Sequence, residues 1–326
     1  MPNRNRRILV TGAVGQVGTE LVPALRDRFG AEHVIAAGHR TQPSEGFRNA
    51  GPYTTVDATD MDGLKALLQE HDIGVIYHLA TLLSADGEKD PERAWRVNLG
   101  SLKNVLDLGV ELEMDQIFWP SSIAVFGPTT PRVDTPQRTI LEPTTMYGVT
   151  KVAGENLCNY YFTRYGLDVR GLRYPGLISH ETFPGGGTSD YSVEIFVAAI
   201  ERGHYTCFVN ADTALPLMYM DDAIRATVGV MAADAARISV RTSYNVSALS
   251  FTAGELAAEV SGRVDGFTCD FEPDFRQAIA DSWPDSMDDS VARRDWGWKP
   301  EYDLPTLVDA MLNGVREKLG GAWPRV

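Results

Sequence analysis

The sequence has few basic residues for its size. Its 326 residues include 30 Lys and Arg against 44 Asp and Glu, and its formal net charge at pH 7 is −14. A protein whose main partner is nucleic acid or an anionic membrane surface needs a basic face to bind it. The charge balance therefore argues against both kinds of partner.

Cysteines and long apolar runs are also scarce. The three cysteines, Cys158, Cys207 and Cys269, are far apart and odd in number, so we expect a protein of the reducing cytoplasm. No apolar run is long enough to span a bilayer. Glycines soon follow the arginines near the N-terminus, so we expect no signal peptide. The three cysteines and six histidines lack ligand spacing, so no metal site is expected.

The first half of the chain alternates short apolar runs with helical stretches. Strands are predicted at RRILVTG, HVIAAG, YTTVD, GVIYHLA and QIFWPSS. Helices are predicted at GQVGTELVPALRDRFG, from Met61 to Glu70, and at PERAWRVNLGSLKNVLDLGV. Regular alternation of this kind is typical of βαβ units and of a parallel sheet covered on both faces. We therefore predict an α/β fold with a Rossmann-type doubly wound parallel sheet.

The pattern becomes less regular after Tyr174, although helices are still indicated. Apolar residues recur at helical spacing in two stretches, Val193–Ile200 and Leu304–Met311. We predict a dinucleotide-binding domain over residues 1–174 and a smaller, mixed C-terminal substrate lobe over residues 175–326. The boundary is expected to be discontinuous, with some later segments returning to the first domain.

A glycine-rich loop lies between the first strand and the first helix. ILVTGAVGQVG places Gly12, Gly15 and Gly18 at G-x-x-G-x-x-G spacing. Glycines permit a tight turn and let backbone N–H groups approach a pyrophosphate at a helix N-terminus. A plain turn would also be rich in glycine, but the position directly after an apolar strand favours dinucleotide binding.

The residues at the adenosine end leave the choice between NAD and NADP open. A carboxylate about 20 residues beyond the loop usually holds the ribose 2′-hydroxyl. Here the stretch reads AAGHR, with Gly38 in place of the acid, followed by His39 and Arg40. An arginine at this point can instead face a 2′-phosphate. Asp57, which ends YTTVD, is a candidate for the adenine amino group or, alternatively, a turn or N-cap aspartate before the next helix.

A tyrosine and a lysine follow at helical spacing in EPTTMYGVTKVAGE. Tyr147 and Lys151 are four residues apart, so on a helix they share one face. Ser121 and Ser122 end a predicted strand, where a doubly wound sheet binds its ligands. A surface pair is the alternative for the tyrosine and lysine, but the combination predicts catalysis. An ammonium and an oxidised nicotinamide would both lower the pKa of the phenol from its usual value near 10.

In this hypothesis Tyr147 is the general base. Lys151 lowers its pKa and orients the nicotinamide ribose, so both residues also contact the cofactor. Ser122 positions the substrate hydroxyl. Ser121 either assists or binds a substrate carboxylate, and the sequence does not distinguish the roles of the two serines.

Several motifs together resemble the extended short-chain dehydrogenase/reductase family, which includes UDP-galactose epimerase. They cover essentially the whole chain: TGAVGQVG, HLA, NLGSLKNVLD, PSSIAVFG, YGVTK, YMDDAIRA and WGWKP. ATLLSADGEKDP, RYPGLIS and PGGGTSDYSVEIF are similar, more narrowly, to its short-chain-type L-threonine 3-dehydrogenases. That resemblance implies oxidation of L-threonine at C3 to 2-amino-3-oxobutyrate with reduction of NAD. Such enzymes usually carry an acidic residue where this chain has Gly38, so NADP is not excluded.

The resemblance also implies site residues and an assembly. Asn98 would hold a water or a main-chain carbonyl that links Lys151 to solvent. A homodimer would pair through the helices at 91–110 and 145–165. Further cofactor contacts are implied for Gln16, Val17, Leu79, Ala80 and Leu177.

Candidate substrate contacts come from two stretches. Thr188, Ser189 and Asp190 open a predicted helix, where N–H groups and hydroxyls bind an anion, although N-capping would explain one of them equally well. Ser84 lies in the loop after GVIYHLA and is either a substrate contact or an ordinary loop serine. The triplet Gly185–Gly187 is interpreted as a hinge or as a surface turn.

Two rival functions remain at this point. A nucleotide-sugar epimerase or dehydratase of the same superfamily would share the first half of the chemistry. A non-catalytic, dinucleotide-sensing regulator would have kept the fold and lost turnover, but the presence of Ser122, Tyr147 and Lys151 argues against it.

Overall fold

The computed structural model describes residues 6–183 and 187–320, and its chain divides into two compact units. Unit 1 comprises the chain up to Ser122 together with Thr145–Arg173 and Ile224–Tyr244. Unit 2 comprises Ile123–Thr144, Tyr174–Ala223 and the chain from Asn245 onward. Of the proposed hinge triplet, the first two glycines lie outside the described residues.

The elements follow one another closely along the chain. The strands are β1 (Arg7–Thr11), β2 (Val34–Gly38), β3 (Tyr53–Thr55), β4 (Ile73–His78), β5 (Gln116–Ser122), β6 (Val169–Tyr174), β7 (Gly176–Ile178), β8 (His204–Cys207), β9 (Ala214–Tyr219), β10 (Tyr244–Asn245), β11 (Leu249–Thr252) and β12 (Thr268–Phe271). The helices are α1 (Gly18–Phe29), α2 (Glu45–Asn49), α3 (Met61–Glu70), α4 (Ser84–Lys89), α5 (Pro91–Trp95), α6 (Ser101–Glu111), α7 (Met146–Tyr165), α8 (Tyr191–Arg202), α9 (Met220–Ala232), α10 (Ala253–Ser261), α11 (Arg276–Ala280), α12 (Ser290–Trp296) and α13 (Leu304–Gly320).

The main sheet has the strand order β10-β6-β5-β4-β1-β2-β3 across the described residues. Strand β1 pairs in parallel with β2 and β4, and the β2/β3 and β4/β5 pairs are parallel too. The chain order reverses between β1 and β4, and ligands bind beyond the carboxyl ends of the strands at such a switch point. The predicted α/β class with a doubly wound parallel sheet is confirmed.

Local signals account for the helix boundaries that position the site. Helix α3 begins after Asp60, whose side chain accepts a hydrogen bond from the backbone N–H of Gly63. Helix α7 begins after Thr145, which caps it through the N–H of Gly148. The stretch predicted as one helix from residue 91 to 110 is instead interrupted by a wide π-type turn at Arg96–Gly100. That turn carries Asn98.

Aliphatic and aromatic side chains from the strands and their covering helices form a continuous core in unit 1. Leu9 of β1, Ile35 of β2 and Ile76 of β4 are fully buried or nearly so, and Trp119 of β5 and Cys158 of α7 belong to the same cluster. Removing this apolar area from water is the main contribution to folding stability. The strand ends that carry polar side chains are therefore held on a rigid frame.

Unit 2 contains two smaller sheets. Strand β9 pairs in parallel with β7 and antiparallel with β11, and β8 pairs in parallel with β12. Helix α8 packs on β8, on α10 and on α13. The mixed strand directions and the smaller sheets agree with the irregular pattern of the second half of the sequence.

Candidate active site

The glycine loop brings the backbone of β1 against the backbone that follows β4. Gly12 has φ +69°, and a Cβ at this position would lie 2.8 Å from the backbone nitrogen of Ala80 and 2.9 Å from the carbonyl carbon of Leu79. A Cβ at Gly18 would lie 2.5 Å from the carbonyl oxygen of Gly12. Gln16 and Val17 complete the turn into α1. Only glycine permits these close approaches, so the loop fits a pyrophosphate at the helix N-terminus.

The residues predicted to face the adenosine carry charged side chains of both signs. Oδ1 of Asp57 accepts hydrogen bonds from the N–H and the hydroxyl of Thr59, at 2.9 and 2.7 Å. The hydroxyl bond is the main cause of the lowered pKa of Asp57. Its Oδ2 lies 3.7 Å from Nε2 of His39, and Arg40 is exposed beside them. Asp57 is thus a turn aspartate, as the alternative interpretation had it, and its contact with adenine stays a prediction.

The two serines at the end of β5 have different partners. The hydroxyl of Ser122 is hydrogen-bonded to the phenol of Tyr147. The hydroxyl of Ser121 donates to Oε1 of Glu155 at 2.6 Å, and Arg173 donates to both oxygens of the same carboxylate at 2.8 and 2.7 Å. Ser121, Glu155 and Arg173 are all buried. The geometry therefore assigns Ser122 to the tyrosine and Ser121 to a buried ion pair.

Sequence reasoning missed the Glu155–Arg173 pair. The available signal was spacing, because Glu155 follows Lys151 by four residues and so continues the helix face of Tyr147 and Lys151. Nothing in the sequence indicated that Arg173, at the end of β6, would lie against it.

Among the protein's own residues, the pKa of Tyr147 is raised rather than lowered, and the joint effect of Lys151 and an oxidised nicotinamide stays a prediction. Desolvation of its hydroxyl raises the pKa of Tyr147 to about 12, and the hydrogen bond from Ser122 opposes this only in part. Burial lowers the pKa of Lys151 to about 7. Its Nζ donates to the carbonyl oxygen of Pro120 at 2.6 Å and lies 5.4 Å from the centre of the Tyr147 ring. Desolvation therefore dominates the pKa of Tyr147, and the hydrogen bond with Ser122 is the opposing influence.

Asn98 connects the loop after β4 to α7. Its Oδ1 accepts from the N–H of Leu82 at 2.7 Å, and its Nδ2 donates to the carbonyl of Leu82 and to the hydroxyl of Thr150, both at 3.1 Å. The main-chain carbonyl that it holds is thus that of Leu82, whereas Lys151 holds that of Pro120. Ser84 follows this loop as the first residue of α4 and is buried.

His78 is a second polar group that sequence reasoning did not assign. Its Nδ1 lies 2.8 Å from the hydroxyl of Thr11, and its Nε2 lies 2.9 Å from the hydroxyl of Ser101. Full burial lowers its pKa to about 3, so the ring is neutral at physiological pH. It joins β1, β4 and α6 directly beneath the glycine loop and so supports the loop.

The remaining candidates lie in unit 2. Leu177 is the middle residue of β7. Thr188 is buried, and it precedes α8 together with Ser189 and Asp190. The carboxylate of Asp190 accepts from the N–H of Gly187 at 2.5 Å, and Asp190, at the N-cap position of α8, makes no side-chain capping bond. Because the N-cap position of α8 belongs to Asp190, two residues after Thr188, the structure lends no support to a capping role for Thr188.

Two features are absent from the described ranges. Over residues 6–183 and 187–320, no group of three or more His, Cys, Asp or Glu side chains is arranged to hold a metal ion. In the same ranges no helix has both the length and the apolarity needed to cross a membrane.

Comparison with known proteins gives consistent results. Residues 8–247 match the family model described as NAD dependent epimerase/dehydratase family. An uncharacterized epimerase/dehydratase of Staphylococcus haemolyticus is 47% identical over 96% of this chain and 98% of its own length. The holo form of a GalE-like L-threonine dehydrogenase from Cupriavidus necator is 50% identical, with a TM-score of 0.92, over 95% of this chain and 99% of that one. A monomeric L-threonine 3-dehydrogenase from a metagenome is 47% identical, with a TM-score of 0.91 and the same coverage.

Proposed function

Because this chain belongs to the NAD dependent epimerase/dehydratase family, we propose that it is an NAD-dependent L-threonine 3-dehydrogenase. The reaction converts L-threonine and NAD⁺ to 2-amino-3-oxobutyrate, NADH and a proton. Family membership agrees with the resemblance seen in the sequence. The solved threonine dehydrogenases at 47–50% identity support the substrate, because they match this chain over nearly its full length.

The observation that carries the proposal is the hydrogen bond between Ser122 and Tyr147, with Lys151 one helical turn further on. Ser122 and Tyr147 are both only partly buried residues, so a substrate can approach their side chains. The nicotinamide of bound NAD would supply the acceptor for the hydride from C3. Tyr147 takes the proton of the C3 hydroxyl as general base, and Ser122 holds that hydroxyl in place.

Lys151 has two tasks in this mechanism. It would bind the nicotinamide ribose, and its charge, together with the positive charge that oxidised NAD would supply, would favour the phenolate of Tyr147. In the protein alone the pKa of Tyr147 is about 12, so in this proposal the phenolate would form in the complex with NAD.

Cofactor binding is supported by the glycine loop. Gly12, Gly15 and Gly18, with Gln16 and Val17, would hold the pyrophosphate, and Leu79 and Ala80 lie beside them. We assign the remaining contacts to Asn98, to Leu177 and, at the adenosine, to His39, Arg40 and Asp57. NAD is the preferred cofactor in this proposal.

Substrate binding is assigned to groups that suit a small zwitterion. Thr188 and Ser189 offer hydroxyls for the carboxylate, and Asp190 offers a negative charge for the ammonium. Ser84 is the further polar contact. Ser121 is not assigned to the substrate, because its hydroxyl is already bound to Glu155.

We further propose a homodimer in the cytoplasm. Trp95 of α5 and Tyr160 of α7 are each 51% exposed, which is unusual for large aromatic side chains and favours pairing through these helices. One solved relative is described as monomeric, so the oligomeric state of this protein has to be measured. Light scattering of the protein and of a Trp95→Glu variant gives the molar mass directly, and a monomer in both would refute the pairing.

The three free cysteines are consistent with a reducing compartment.

One assay separates the proposal from its rivals. NADH absorbance at 340 nm is followed after NAD and L-threonine are mixed with the protein, and then with UDP-galactose in place of threonine. NADH formation with threonine alone is expected. Conversion of UDP-galactose without net NADH would favour an epimerase. Cofactor binding without turnover of either substrate would favour a regulator.

A further inference from the structure

The side-chain space at Gly38 is filled by a residue from the neighbouring strand. Gly38 is the last residue of β2, and Tyr53 lies opposite Ala36 on β3. A Cβ at Gly38 would collide with the hydroxyl of Tyr53 and would lie 3.1 Å from Cγ2 of Val14 in the glycine loop. The phenol thus ends where the side chain of residue 38 would begin.

The hydroxyl of Tyr53 is buried without a hydrogen-bond partner among the described residues. Burial of an unsatisfied hydroxyl is unfavourable, and such groups in a native protein call for an explanation. The ring itself is well held, because the guanidinium of Arg48 stacks on it at 5.5 Å and donates to Gln42 at 2.9 Å. The hydroxyl is therefore fixed in position and lacks only a hydrogen-bond partner.

The position of this hydroxyl corresponds to one part of a bound dinucleotide. In doubly wound folds the adenosine ribose lies beyond the carboxyl end of the second strand, where an acidic side chain normally binds its 2′-hydroxyl. We infer that Tyr53 takes over this role: its hydroxyl donates a hydrogen bond to the 2′-oxygen of the adenosine ribose. The side chain of Val14 borders the same space and is partly exposed.

A neutral phenol has a consequence for specificity. A carboxylate at this point repels a 2′-phosphate, whereas a phenol does not. Tyr53 thus recognises the ribose while discriminating only weakly against NADP. The inference depends on dinucleotide binding and not on the threonine proposal, and binding measured without substrate tests it separately.

The test is a thermodynamic cycle that combines one substitution in the protein with one change in the ligand and compares the binding free energies. Dissociation constants are measured by calorimetry for NAD and for NAD lacking the adenosine 2′-hydroxyl, with the wild type and with Tyr53→Phe. Loss of the hydrogen bond should weaken NAD binding by about 2- to 13-fold in Tyr53→Phe. The deoxygenated cofactor should then bind both proteins alike. An equal penalty for deoxygenation in both proteins would show that the two hydroxyls do not pair and would overturn the inference.

Thermal stability supplies a second readout. Because the hydroxyl is unpaired in the free protein, Tyr53→Phe should keep or raise the melting temperature, so weaker NAD binding would not reflect misfolding. Tyr191→Phe is the matched control: its hydroxyl is also buried without a partner in the described chain, at the start of α8, and its removal should leave NAD binding unchanged. If the control weakened NAD binding as much as Tyr53→Phe, the assignment to Tyr53 would fail.

The packing at Gly38 is tested independently of any ligand. Gly38→Ala should lower the melting temperature in the wild type and lower it less in the Tyr53→Phe background, where the colliding oxygen is gone. Equal losses in the two backgrounds would contradict the claim that Tyr53 occupies this space.

Discussion

The hydroxyl of Ser121 donates a hydrogen bond to the buried carboxylate of Glu155 at 2.6 Å. This contact gives Ser121 a role different from that of the adjacent Ser122, and the sequence alone did not distinguish the two roles. Glu155 also binds Arg173 through both oxygens, so the cluster is a buried ion pair whose remaining acceptor capacity is used by Ser121. Buried ion pairs are stable only when such additional hydrogen bonds are made.

Ser121 and Ser122 should therefore respond differently to alanine substitution. Ser122→Ala removes the hydrogen bond to Tyr147 and should lower kcat by about 10- to 150-fold, as expected for a bond to a charged group. Ser121→Ala removes a partner of Glu155 and should mainly lower the free energy of unfolding, by about 1.5–3 kcal/mol. Steady-state kinetics and denaturant unfolding of both variants test this. The reverse pattern would place Ser121 at the substrate.

Tyr147→Phe should remove the general base and leave the ring in place. General-base catalysis contributes about 10²- to 10⁴-fold, so kcat should fall by that factor while the dissociation constant for NAD stays nearly unchanged. Stopped-flow measurement of the NADH burst and calorimetry with NAD provide the two numbers. Tyr160→Phe, on the exposed side of the same helix, is the control and should keep full turnover. Retention of most activity by Tyr147→Phe would assign the proton transfer to another group.

Thr188→Ala should raise KM for L-threonine by about 10- to 150-fold with a smaller effect on kcat, because a contact made equally in ground and transition states affects binding alone. The melting temperature should change little, because helix α8 has Asp190 as its N-cap residue. A lowered melting temperature with unchanged KM would move Thr188 from the substrate site to the scaffold.

NAD should have a higher kcat/KM than NADP. Arg40 is exposed, and a single exposed cation contributes little to binding a hydrated phosphate. Restoring the acid by Gly38→Asp should strengthen the preference for NAD, but only with a smaller residue at position 53, because Tyr53 occupies the space. Kinetics of Gly38→Asp and of Gly38→Asp with Tyr53→Val, each with both cofactors, test this. A wild-type ratio in favour of NADP would refute the preference.

Acid should destabilise the protein through His78. Its pKa is lowered to about 3 in the folded chain from 6.5, so the unfolded chain binds the extra proton as the pH falls. The free energy of unfolding should therefore decrease between pH 6.5 and about 3, by up to about 1.4 kcal/mol per pH unit from this residue. In His78→Gln that slope should be smaller. The exposed His33→Gln is the control, and equal slopes in wild type and His78→Gln would show that another group is responsible.

The sequence by itself determined the local features of this protein. The bounds of α3 follow from an apolar helical repeat and the Asp60 cap, and the start of α7 follows from Thr145. The glycine loop and the Tyr147–Lys151 spacing could also be identified from the sequence. Each of these depends on residues within a few positions of one another, so the pattern and its physical cause lie in one short stretch.

Only the tertiary structure decided how distant residues combine. Tyr53 fills the space of Gly38 because two strands pair, and Glu155 rather than the substrate takes Ser121 because β6 brings Arg173 beside α7. Desolvation raises the pKa of Tyr147 in the protein alone, and desolvation depends on everything packed around a group. Strand pairing, burial and the choice among competing partners are set by long-range packing, and no short stretch of sequence contains that information.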